Sequence, residues 1–295
     1  MVSPKISVLV ASVMGLVLAI PSNTCIVMGN LDIIRKKGKL SPTDVIFLAK
    51  GIVNILLQCV LSINGMFYVL CPAVFYGTEF IGFSNISVCF LMYFNFWLTF
   101  WLSAHYCTTI TNLSYRLFIW IKRTVSNFLS QLLFLTALGM FIVSVLIYLL
   151  THVASIQSSK NGTEASDNTL HNYLFYRVPA FILGANLPFC LSLLCLVLTF
   201  SFLLRHVWRV KNNDSGSTHP NLQAHVTALR TIFFLLLMFA ISCISQTVSF
   251  FSPNMSLLAV SWNLQFLSPS VEAVIILQAN NKLRRIILRR FWTRS

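Results

Sequence analysis

The sequence predicts an all-α membrane protein, a bundle of seven transmembrane helices with the amino terminus outside and the carboxyl terminus in the cytoplasm. Three observations carry this. Of the 295 residues, 57% are hydrophobic and only 9% are charged, where an ordinary soluble domain carries about 25% charge. The few charges leave long charge-free tracts, and about 20 apolar residues suffice to cross a hydrocarbon core roughly 30 Å thick. The basic residues, finally, recur in clusters between alternate tracts. A net charge of +14 would suit nucleic acid only if those residues formed one water-facing patch. Spread as short clusters they follow the positive-inside rule instead, and no nucleic-acid partner is expected.

The tracts give the spans. No Asp, Glu, Lys or Arg occurs in Ile6–Leu31, Gly51–Thr78, Phe80–Tyr115, Thr124–Ser159 or Val178–Leu204. A sixth tract, Thr231–Val271, is too long for one crossing and is broken by Ser252-Pro253-Asn254, so it holds a helix, a tight turn and most of another helix. The expected spans are about 8–30, 45–68, 84–110, 128–151, 179–204, 231–251 and 257–278, within a transmembrane domain of 1–279. All but four of the 21 Lys and Arg fall in clusters at 35–39, 116–123, 205–230 and 282–294, the exceptions being Lys5, Lys50, Lys160 and Arg177. Every second loop is therefore basic, which sets the orientation. The first tract is too long for a cleaved signal peptide and ends in the stop Arg35-Lys36-Lys37.

In chain order, span one carries Asn23 and Asn30 seven residues apart, on one helix face, and span two carries Lys50 and Asn54 four apart, again on one face. Membrane helices turn such groups toward their neighbours. Span three is dense in aromatics, Phe90 to Trp101, with Met92, Phe96 and Thr99 sharing a face. The outer loop between spans four and five holds Asn161-Gly162-Thr163, a glycosylation acceptor. That loop has no Cys, which excludes a disulfide from it to helix three. Cys71 and Cys89 could reach one another at the outer surface, or stay as packed thiols.

Leu187–Thr231 reads as a hairpin of two apolar helices around a short basic loop, with His206, Arg209, His225 and Arg230 at its two seams. These four are expected to form the cytoplasmic coupling surface. The last segment, 280–295, places Leu283, Ile286, Ile287 and Phe291 on one face and Arg284, Arg285 and Arg289 away from it. It is expected to lie on the inner surface as an amphipathic helix attracted to anionic lipid.

Two charges stand inside the spans. Lys50 lies six residues in from Asp44 and Glu272 ten residues out from Lys282, so both sit roughly 9 to 15 Å above the inner helix ends. With Asn23 and Asn54 they make an expected intramembrane polar network. Lys50 either pairs with Glu272, or it snorkels to the headgroups and leaves Glu272 protonated.

No hydrolase, kinase, phosphate-loop or zinc signature occurs, so neither an enzyme nor a cofactor is expected. His206 and His225 lack a third ligand for a metal. A retinal pump would need a lysine in the middle of span seven, and Lys282 lies beyond its end. A transporter or channel, one rival reading, would ask for paired broken helices or a ring of like charges in the bundle.

At the level of motifs the chain resembles the type 2 taste receptors, the bitter taste receptors among G protein-coupled receptors. Pro188, Ser192, Leu193, Ser201 and His206 keep the spacing of that family's fifth helix, and His225 to Thr231 matches its His-x-x-Ala-Leu-Lys-Thr start of helix six. Asn23, Asn30, Lys39, Ser41 and Asp44 fall at its intervals, as do Trp97-Leu98 and Asn112-Leu113-Ser114. Pro269-Ser270, Asn280, Lys282 and Leu283 resemble its seventh helix and tail. The resemblance spans all but the outer loops, where Asn161 stands at the family's glycan position. The chain looks like a divergent member. The family's helix-two arginine aligns with Asn54, its helix-seven histidine with Glu272 and a basic residue of helix three with Thr109. Val88 and Met92 stand where members carry Trp and Asn, and Ser242 replaces an aromatic residue.

The resemblance implies a multi-pass receptor of the plasma membrane that takes a small, partly apolar bitter compound in the outer half of the bundle. It would activate a gustducin-like or inhibitory-type heterotrimeric G protein, with phospholipase C and calcium release as output. Met92, Phe96, Gln246, Trp262 and Gln265, inward on helices three, six and seven, are the expected ligand contacts. Homo- or hetero-oligomerisation is compatible with this reading. A vomeronasal type 1-like pheromone receptor shares the helix plan but not the motifs in helices five and six.

Overall fold

The computed structural model describes residues 4–111, 116–160, 178–213, 220–251, 254–280 and 284–285. Among the described residues there is no strand. The helices are α1 (Pro4–Lys37), α2 (Pro42–Leu70), α3 (Thr78–Ile110), α4 (Arg116–Lys160), α5, which opens at 178, passes through a π turn at Ile182–Asn186 and continues as Leu187–Asn213, α6 (Pro220–Phe251) and α7 (Met255–Ala279). A single helical turn, Pro72–Phe75, lies between α2 and α3. Each of the seven is long and apolar enough to cross a membrane, so the chain is a multi-pass membrane protein.

The helices outrun the charge-free tracts. Helical hydrogen bonding continues until a residue stops it, not until hydrophobicity ends, and the stops are legible. At the end of α1, Gly38 adopts φ 72°, a left-handed conformation that glycine enters without penalty, and its N–H bonds to the Ile34 carbonyl at 2.8 Å. Ser41 caps α2 by accepting from the Asp44 N–H at 3.3 Å, with Pro42 in the first turn. Asn254 caps α7, accepting from the Ser256 N–H at 2.9 Å. Two stretches expected as basic loops are helical. Arg116 onward is continuous with α4 apart from a kink at Phe128 (φ −113°, ψ 15°). Arg205 to Lys211 extends α5, and α6 already starts at Pro220. Neither stretch contains a Gly or an internal Pro, so nothing in it halts propagation.

Within α5 the π turn has a local cause. Pro188 has no N–H, and its ring would strike the carbonyl four residues back in a regular α-helix. The wider turn, closed by Leu187 N–H to the Ile182 carbonyl, relieves this. It also carries the backbone of Gly184 against the ring of Tyr93 on α3, where a Cβ would overlap the ring.

α3 is the centre of the bundle, touching α2, α4, α5 and α6. Leu91 to Phe96 are all buried, a run longer than one turn, which only a helix enclosed on every side can show. On one flank α1, α2 and α7 pack on one another and on α3 through Ile26, Phe47, Leu57, Leu98 and Phe266. On the other, Phe96 stacks on Phe239 of α6 with ring centroids 4.0 Å apart, and Phe189 of α5 meets the same ring edge-on at 5.3 Å. Outward side chains such as Phe134, Leu135, Phe200 and Ile244 are apolar and exposed, as lipid contact requires.

The Gly184 contact yields a test. Gly184→Ala should lower the melting temperature of the detergent-purified protein, at a cost of about 1–3 kcal/mol for the overpacked ring. In a Tyr93→Ala background, which has its own cavity cost, Gly184→Ala should cost much less than it does in the wild type. A variant that melts with the wild type would show that α3 and α5 do not meet here.

Candidate ligand cavity and buried charge network

The four-residue period of α2 puts Lys50 and Asn54 one above the other, facing α3 and α7. Lys50 and Asn54 have no exposed surface and Glu272 is 3% exposed. The Lys50 ammonium stands 3.2 Å from Glu272 Oε2. It donates to Asn95 Oδ1 at 2.7 Å, to Thr99 Oγ1 at 2.9 Å and to the Asn95 carbonyl at 3.3 Å. Its three protons are thus matched by α3 and α7 oxygens. The carboxylate in turn accepts from Asn95 Nδ2 at 3.1 Å and Asn54 Nδ2 at 3.3 Å, both onto Oε2. Asn95 Nδ2 also donates to Asn54 Oδ1 at 3.1 Å. Asn54 Nδ2 reaches Asn23 Oδ1 at 3.3 Å, and Asn23 Nδ2 donates to the Pro269 carbonyl of α7 at 3.1 Å. One connected set of polar groups therefore ties α1, α2, α3 and α7.

Lys50 is paired with Glu272 and points across the bundle toward α3 and α7. Asn95 and Thr99, absent from the expected network, complete it. The signal was present, since Asn95 is an amide inside a charge-free span, the criterion that singled out Asn23 and Asn54.

A cavity of about 250 Å³ lies at the end of the bundle where α2 and α6 finish and α3 and α7 begin. Of the expected contacts, Gln246, Trp262 and Gln265 line it. Met92 and Phe96 do not. Met92 lies buried as the acceptor of a hydrogen bond from Gln246 Nε2, 2.8 Å to its Sδ, and Phe96 is sandwiched in the core against Phe239. The α3 wall is instead Ser84, Asn85 and Val88, and α2 adds Leu61, Asn64 and Gly65. Because α3 is buried all round, its hydrophobic pattern does not show which face meets a cavity or at what height. Val88, where the resembled family carries Trp, leaves room there.

His206 and Arg209 lie on the last turns of α5, and His225 and Arg230 on the first turns of α6. Of these four, the Arg230 side chain is described; it is exposed, with its guanidinium 5.6 Å from the Phe234 ring centroid one turn on. Asn161 lies outside the described residues, as does most of the 280–295 tail. Asn280 Nδ2 donates to Asp44 Oδ1 at 3.3 Å, joining the end of α7 to the start of α2. Among the described residues no disulfide is formed.

Removing one member of a buried ion pair strands the other, at a cost of about 3–5 kcal/mol. Lys50→Glu and Glu272→Lys should each cut surface expression and thermal stability severely, and the double swap should recover a good part of both. Purely additive losses would dissolve the pair.

A family model described as "Taste receptor protein (TAS2R)" matches residues 1–295. Taste receptor type 2 member 8 of Papio hamadryas is 30% identical over 310 residues, covering 98% of this chain and 96% of that protein. Member 8 of Pan troglodytes is 31% identical with the same coverage. Member 9 of Homo sapiens is 25% identical over 93% of this chain and 89% of its own length. With a family match from end to end and relatives at this identity across all seven helices, the chain belongs to the type 2 taste receptor family.

Proposed function

We propose that the chain is a bitter taste receptor of the plasma membrane. It binds a small, partly apolar compound in the cavity between α2, α3, α6 and α7 and activates a heterotrimeric, gustducin-like G protein, leading to phospholipase C and calcium release. The observation that carries this is the coincidence of family membership with a cavity to which α2, α3 and α7, three of the helices joined by the Lys50–Glu272 network, contribute together with α6. A ligand that touches α2, α3 and α7 together can favour one arrangement of those helices over another, and only such differential binding shifts an equilibrium. The amino terminus lies outside, the basic helix ends inside, and the G protein meets the ends of α5 and α6 at His206, Arg209, His225 and Arg230.

Calcium imaging of cells bearing the receptor, against a panel of bitter compounds and with or without a G protein chimera, should give responses only with the chimera. Ligand-gated current without a G protein would sink the reading. In the same assay His225→Ala or Arg230→Ala should lower the maximal response several-fold at near-normal surface expression. Equal loss of both quantities would point to folding.

Asn161 carries the glycan in this topology, being an acceptor triplet in a roomy outer loop. Asn161→Gln should run at lower apparent mass and reach the surface less. A deglycosylation shift as large in the variant as in the wild type would overturn the site or the orientation.

A further inference from the structure

Among the described residues, the polar groups that line the cavity are all neutral: Asn64, Ser84, Asn85, Gln246, Ser249 and Gln265. Two of them are unsatisfied. Gln265 Nε2 and Ser249 Oγ are buried and have no hydrogen-bond partner among the described residues. An amide N–H can only donate, and a buried donor without a partner is costly. Beside them Trp262, held edge-on to Tyr68 with centroids 5.0 Å apart, forms a flat apolar wall.

We infer that the cavity takes an uncharged, flat molecule bearing a carbonyl acceptor, which Gln265 Nε2 and Ser249 Oγ engage while its ring lies on Trp262, and that it rejects organic cations. This rests on reading the cavity as the ligand pocket. A cation would gain something from the aromatic face, but no carboxylate lines the cavity among the described residues. Along α7 the next acid is Glu272, seven residues past Gln265 and so about 10 Å away, and it is already paired with Lys50. On α3 the acid before Ser84 is Glu79, exposed in the first turn. A cation would leave water without a counter-charge, and between membrane helices that loss exceeds what a ring returns.

The test compares coumarin, a neutral bicyclic lactone, with N-methylquinolinium, a bicyclic cation of similar size that has no carbonyl. Thermal shifts are measured on the purified full-length chain. Coumarin should raise the melting temperature where the same concentration of N-methylquinolinium does not. Gln265→Leu should weaken the coumarin effect roughly tenfold, the scale of one lost hydrogen bond at a buried site. Ser249→Ala serves as the second variant should Gln265→Leu fail to fold, and Gln265→Glu should turn the preference toward the cation. The inference is overturned if N-methylquinolinium stabilises the wild type as well as coumarin does, if coumarin has no effect, or if its effect survives both Gln265→Leu and Ser249→Ala. A calcium response to some other agonist would leave the receptor reading standing in each of those cases. Coumarin binding without any G protein response would leave the cavity chemistry standing and overturn the receptor reading.

Discussion

Inside a bilayer no water is available to satisfy a polar group, so each must find its partner within the protein. In this chain that constraint bears hardest on Lys50, a full positive charge on α2 with no exposed surface. Its partners come from other helices. Glu272 supplies the opposite charge from α7, and Asn95 and Thr99 supply neutral oxygens from α3. A helix shift that parts any of these leaves a charge or an amide unmatched, which makes the relative placement of α2, α3 and α7 the most tightly specified geometry in the bundle. Asn23 extends the constraint to α1 through Asn54 and the Pro269 carbonyl.

The cavity stands on the same helix faces. On α2 the stripe Lys50, Asn54, Gln58, Leu61 and Gly65 runs from the ion pair to the cavity wall, and on α7 Trp262, Gln265 and Phe266 lie above Pro269 and Glu272. Pro269 falls between the two sites and brings no N–H, so the Gln265 carbonyl four residues back lacks its usual helical donor. The α7 helix is therefore weakest where a residue of the cavity wall and a network carbonyl meet. α4 and α5, which take no part in the network, show long lipid-facing apolar surfaces instead.

The seven crossings were legible because charge is so scarce that each interruption of a tract carries meaning. Lys50 and Glu272 were legible for the same reason, and their distances from Asp44 and Lys282 set their heights. What the sequence hid follows from α3. Leu91 to Phe96 are buried on every side, so periodicity there cannot separate a cavity face from a packing face; Met92 and Phe96 belong to packing while Ser84, Asn85 and Val88 form the wall. The basic stretches after Tyr115 and Leu204 looked like loops because their charge was read as an end. Charge does not bound a helix; Gly38 closes α1, and the N-caps Ser41 and Asn254 open α2 and α7.

Lys50 is a counter-ion that cannot diffuse away. A mobile inorganic cation beside Glu272 would be held by mass action and would exchange with the medium, so its occupancy would follow the surrounding salt. Tethered to α2 by its own side chain, the ammonium has a fixed local concentration at the carboxylate, and burial removes it from ionic screening. The charge balance at the core of the bundle is thereby uncoupled from the sodium and potassium content of its surroundings.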